Sequence, residues 1–177
     1  METLKQLLLG FGDESSIVFL NYRNAVERVS DYLKEQGFTI SCFHGGLDQR
    51  QREDQLYRFS NGSANVLVAT DLASRGLDIP DIQNIIHYHL PESEDGYIHR
   101  VGRTARWDAS GRTFFILNSE ESIPEYVEGD IVEYTATESQ YTVPALPRMA
   151  TLYIGKGKKD KISKGDIVGF LCKNGGL

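Results

Sequence analysis

Apolar residues come along this chain in short blocks that alternate between two spacings. Ile17-Val18-Phe19-Leu20 is an unbroken run, the pattern of a strand buried on both faces. Ala25, Val26, Val29, Tyr32 and Leu33 follow at helical spacing, with Gly37 as the stop. Thr39 to Phe43 reads as a second strand. Asp48-Gln49-Arg50-Gln51 reads as a capping box that opens a helix carrying Leu56 and Phe59 inward and ending at Asn61-Gly62. Val66 to Ala69 is a third strand and Asn84 to Tyr88 a fourth. After Pro91, Ser93 caps a helix whose first turn holds Glu94 and Asp95. Thr113 to Leu117 is a fifth strand. Ahead of all this, residues 2–10 form an amphipathic helix with Leu4, Leu7 and Leu8 on one side and Gly10 as its stop.

Strands alternating with helices imply an α/β fold, a parallel sheet covered by helices on both faces. Ligands of such folds sit outside the carboxyl ends of the strands. The unusual polar segments all follow strand ends: Asn21-Tyr22-Arg23, His44-Gly45-Gly46, Thr70-Asp71, and the helix after the fourth strand. They are expected to share one rim.

The pattern weakens after Asn118. Ile131 to Tyr134 is expected to add an edge strand, and residues 135–150 read as a linker. Thr151 to Ile154 reads as a strand and Ser163 to Lys173 as a helix. One strand and one helix cannot close a core, so residues 151–177 read as the start of a second domain that is cut short.

With 177 residues, 40% of them apolar, residues 1–134 suffice for one well-packed domain. No apolar run approaches a membrane span. The two cysteines, Cys42 and Cys172, match no zinc or redox spacing, so reduced thiols and a cytoplasmic location are the expectation. The net charge of −6 argues against an unspecialised nucleic-acid binder. The charge is uneven, however: seven of the 19 Lys/Arg but only two of the 25 Asp/Glu fall after Pro147. A basic tail on an acidic body either faces nucleic acid or is simply solvated.

Arg100, Arg103 and Arg106 recur at spacing three, which on a helix places them near one another. Like charges so placed repel, and the array makes sense opposite a strongly anionic ligand such as phosphate. The alternative is a solvated basic surface. His87 and His89, two apart on a strand, have the spacing of a metal pair but no third ligand, and no metal site is expected.

In order, these segments resemble the second RecA-like domain of DEAD-box RNA helicases. Ile17 to Asn21 resembles motif IV, His44-Gly45-Gly46 with Gln49-x-x-Arg52 resembles motif IVa, VLVATDLASRGLDI from Val66 resembles motif V, and His99-Arg100-x-Gly102-Arg103-x-x-Arg106 matches motif VI. The likeness covers roughly residues 15–120. Residues 149–171, MATLYIGKGKKDKISKGDIVGFL, are similar to the start of the RNA-recognition-motif-like domain of DbpA-type bacterial helicases. Two features of the family's first RecA-like domain, the phosphate loop and the Asp-Glu-Ala-Asp sequence, are not found.

The resemblance implies a RecA-like sheet with a short C-terminal extension. It also implies roles. Arg103 and Arg106 act as arginine fingers on ATP, which the first RecA-like domain holds with Mg2+. Gly76 and Asp78 contact the nucleotide, the carboxylate at its ribose. His99 and Arg100 couple motif VI to its neighbours. Asn21, Arg23, Gly45, Gln49, Arg52 and Thr70 meet the RNA backbone, while Arg50 reads as plain helix surface. Partners would be RNA, ribosomal RNA by the DbpA likeness, and the first RecA-like domain. Two departures stand out. Trp107 follows Arg106 where the family has a small residue, and His89 occupies a position where Asp is frequent. The competing readings are a non-catalytic RNA-binding module on the same fold and a helicase acting on DNA.

Overall fold

A computed structural model describes residues 1–74, 82–103, 111–134 and 141–175. Five strands, β1 (Ser16–Phe19), β2 (Ile40–Phe43), β3 (Val66–Ala69), β4 (Asn84–His87) and β5 (Arg112–Phe115), form one parallel sheet in the order β2-β3-β1-β4-β5. Their registers align the last residues. Phe19 lies opposite Ala69 and His87, Ala69 opposite Phe43, and His87 opposite Phe115. All five strands therefore end on one line, and whatever follows them emerges at the same height.

The helices are α1 (Glu2–Phe11), α2 (Arg23–Glu35), α3 (Gln49–Ser60), α4 (Glu94–Val101) and α5 (Lys164–Asn174). On one face of the sheet Val18, Val68 and Ile86 pack with Leu4 and Leu8 of α1 and Val26, Val29 and Leu33 of α2. On the other face Ile17, Phe19, Leu67 and Ile85 pack with Phe43 and with Phe59 of α3. Period-two alternation along each strand produces this division. α2 and α3 end where their glycines predict. Gly37 and Gly62 have φ of 89° and 76°, and the amide of the next residue reaches back to the Leu33 and Arg58 carbonyls respectively. These are Schellman closures, which need a left-handed residue.

Three expectations change. α1 runs through Gly10 to Phe11, whose ring lies 4.9 Å from Phe114, and the left-handed residue is Gly12. Residues 131–134 form no strand: the Tyr134 ring meets Phe114 edge-on, but no backbone ladder joins β5. Residues 151–154 form none either, because side chains hold them. Thr151 Oγ1 accepts from Asn61 Nδ2 at 3.0 Å and donates to Ser63 Oγ at 2.8 Å, and Arg50 donates to the Tyr153 hydroxyl at 2.6 Å. The preceding stretch is strapped to the body as well, through Asn65 Nδ2 to the Ala145 carbonyl and Met149 N–H to the Gly62 carbonyl. Arg50, read from sequence as plain surface, is exposed but anchors this strap.

Candidate functional site

At the level carboxyl rim the chain leaves β1 at Asn21, β3 at Asp71 and β4 at His89. Arg100, on α4, joins all three. Its side chain is fully buried, and each of its five N–H groups has an acceptor. Nε and Nη2 reach the two carboxylate oxygens of Asp71 at 2.5 and 3.0 Å. Nη2 also donates to Asn21 Oδ1 at 2.7 Å, and Nη1 to the His89 carbonyl at 2.8 Å and His87 Nδ1 at 3.3 Å. The Phe19 ring lies 5.1 Å below the guanidinium.

This arrangement revises one sequence expectation and bears on a second. α4 ends at Val101, so Arg100 and Arg103 do not share a helical face; Arg100 turns inward and Arg103 sits half-buried in the turn beyond Gly102. Asn21, expected to face RNA, has its side chain committed inside: besides serving Arg100 it donates from Nδ2 to the Leu90 carbonyl at 3.0 Å.

His87 lies between Arg100 and Phe115, its ring stacked 4.5 Å from the phenyl. Burial, reinforced by the Arg100 cation, pushes its pKa down to about 3. The neutral ring accepts at Nδ1 and keeps its proton on Nε2. His89 Nδ1 accepts from the Asn21 N–H at 3.2 Å, and burial lowers its pKa too. Both Nδ1 atoms thus serve protein donors. Among the described residues no group of three His, Cys, Asp or Glu could hold a metal.

The remaining rim candidates flank this node. Arg23 pairs with Glu27 at 2.9 Å, and its guanidinium lies where a Cβ on Gly46 would be. The Gly46 N–H donates to His44 Nδ1 at 3.1 Å, and burial holds the His44 pKa below the ordinary histidine value. The His44-Gly45-Gly46 loop is thereby tied to the first turn of α2, with Gly45 exposed beside it. The capping box is present: Asp48 accepts from the Gln51 N–H, and Gln51 returns a bond to the Asp48 N–H. Gln49 bonds Glu53 at 2.6 Å, and Arg52 is half-buried with Nε buried and without a partner among the described residues. Thr70 caps β3, its N–H on the Phe43 carbonyl. His99 Nδ1 faces the Asp95 carbonyl at 2.7 Å and so carries the proton there. Gly76, Asp78, Arg106 and Trp107 lie outside the described residues.

Residues 1–108 match the helicase conserved C-terminal domain family. This chain belongs to that family. Residues 151–177 match the DbpA RNA binding domain. The chain is 38% identical, over 98% of its length, to the ATP-dependent RNA helicase DbpA of Escherichia coli K12. It is 47% identical over 60% of the chain to the ATP-dependent RNA helicase DBP10 of Candida albicans. The match covers 39% of DbpA and 12% of DBP10, so the chain spans well under half the length of either relative. A DEAD-box protein of Methanococcus jannaschii has the same fold at a TM-score of 0.62 and 35% identity, over 67% of this chain and 32% of that one. The helicase C-terminal domain is thus of the DEAD-box kind, with a RecA-like sheet. Sequence reading found Arg100 but not its partners, the half-exposed Asp71 and the buried His87; a carboxylate two residues after a buried strand was the available signal.

Proposed function

We propose that this domain is the second motor half of an ATP-dependent DEAD-box RNA helicase. The observation that carries the reading is the Arg100 node, which locks the segments after β1, β3 and β4 to the helix that leads into Arg103. A nucleotide bound by a first RecA-like domain would meet this rim. In this reading ATP and Mg2+ are held mainly on that other domain.

In this reading Arg103 and Arg106 reach the transferring phosphate, where such fingers are worth about 10³–10⁵ in rate. Gly76 and Asp78 take the nucleoside side, and His99 and Arg100 transmit the state of motif VI to the rest of the rim. Arg23, Gly45, Gln49, Arg52 and Thr70 hold RNA phosphates and sugars without reading bases. The basic segment after Pro147 adds salt-dependent RNA contact. Its likeness to DbpA-type domains supports ribosomal RNA as the target. In the full-length protein, Arg103→Lys is expected to reduce RNA-stimulated ATP turnover far more than RNA affinity. Normal turnover in that variant would remove the finger assignment.

A further inference from the structure

Tyr22 is 61% exposed at the rim, and its hydroxyl bonds to nothing among the described residues. Its backbone is fixed, because the Tyr22 carbonyl accepts the first helical bonds of α2, from Ala25 and Val26. Its ring meets the ring of His89 edge-on, centroids 6.0 Å apart, and Tyr88 lies 5.5 Å beyond His89. His89 is fixed in turn at three points: its N–H on the Phe19 carbonyl, its carbonyl under Arg100 and its Nδ1 under the Asn21 N–H. An exposed ring on a fixed backbone and a pinned imidazole therefore stand side by side where the chain leaves β1 and β4. Arg23, beside Tyr22, supplies a cation whose side chain is 61% exposed.

We infer that Tyr22 and His89 form a stacking step for one unpaired nucleobase of an RNA strand crossing this rim. The inference rests on the proposed RNA reading of the rim and goes beyond it, since that reading assigns only phosphate and sugar contacts. Aromatic faces take any base, and a tyrosine on a fixed backbone has few torsions to order on stacking. His89, neutral and protonated on Nε2, brings no second charge to the step.

The test uses the full-length protein and single-stranded RNA oligomers, intact or carrying one abasic residue scanned along the strand. Tyr22→Ala should weaken binding of the intact oligomer on the order of 5- to 100-fold, and Tyr22→Phe should bind as the parent does. At one position an abasic residue should cost the parent the same factor and cost Tyr22→Ala nothing further. Equal affinity of parent and Tyr22→Ala, or a loss that no abasic position abolishes, overturns the proposal. Arg52→Ala separates the two readings. It should weaken intact and abasic RNA alike; if it does so while no abasic coupling to Tyr22 appears, the base step alone fails. If Arg52→Ala and Tyr22→Ala both bind like the parent, the RNA reading of the rim fails with it.

Discussion

Arg100 and Asp71 meet side by side, two nitrogens on two oxygens at 2.5 and 3.0 Å, although 29 residues separate them in sequence. The arginine is wholly buried while the Asp71 side chain is 40% exposed. The charge costing most to desolvate is therefore the one with the most partners. Breaking such a pair by deleting one member leaves the other uncompensated.

Arg100→Ala should accordingly destabilise the domain by about 3–5 kcal/mol, read as a fall in the urea midpoint at unchanged slope. Arg100→Lys should recover only part of this. An ammonium offers three donors from a single atom and cannot span Asp71, Asn21 and the His89 carbonyl together.

Acid should weaken the fold through His87. Its folded pKa of about 3 lies below the unfolded value of 6.5, so the unfolded chain binds the extra proton between those limits. Stability from this group is complete above pH 6.5 and falls as pH drops toward 3, by about 1.4 kcal/mol per unit. His44 and His89 are shifted the same way and add to the slope. His87→Gln keeps an acceptor for Arg100 and should flatten the pH dependence of unfolding between pH 6 and 4 by about that amount per unit. An unchanged slope would mean His87 is protonated in the folded state.

Gly10 and Gly37 should answer oppositely to alanine. Gly10 lies inside α1 with nothing within 4 Å of an added Cβ, so Gly10→Ala should raise stability by about 0.5–1 kcal/mol. Gly37 has φ of 89° in the closure of α2, and Gly37→Ala should cost about 1–2 kcal/mol. Thermal melts of the two variants check both signs.

The strap predicts a local effect. Thr151→Val removes the acceptor for Asn61 and the donor to Ser63. Hydrogen exchange at the Met149 amide, which bonds the Gly62 carbonyl, should speed up while amides of β1 and β3 keep their rates.

Much of this was legible from sequence because the determinants are local. Buried runs such as Val66 to Ala69, the Asp48 capping box and the glycines at 37 and 62 each carry their structure within a few residues. The shared face expected of Arg100, Arg103 and Arg106 from their spacing of three does not form for the first two, because α4 ends at Val101. What turns Arg100 inward comes from Asn21, Asp71 and His87, brought near only by the sheet order. The loss of a strand at 151–154 has the same cause, since Thr151 and Tyr153 answer to Ser63 and Arg50 about a hundred positions earlier. Gly76, Asp78 and Arg106 lie outside the described residues, so that part of the site stands on the family likeness.

The level strand ends have a consequence for how such a domain can vary. One residue added to β3 would carry Asp71 about 3.3 Å past the fork of Arg100 and reverse which face every later side chain presents. Asn21 and His89 would stay behind. Insertions can accumulate in the connections behind the sheet, but the strands themselves have no freedom of length.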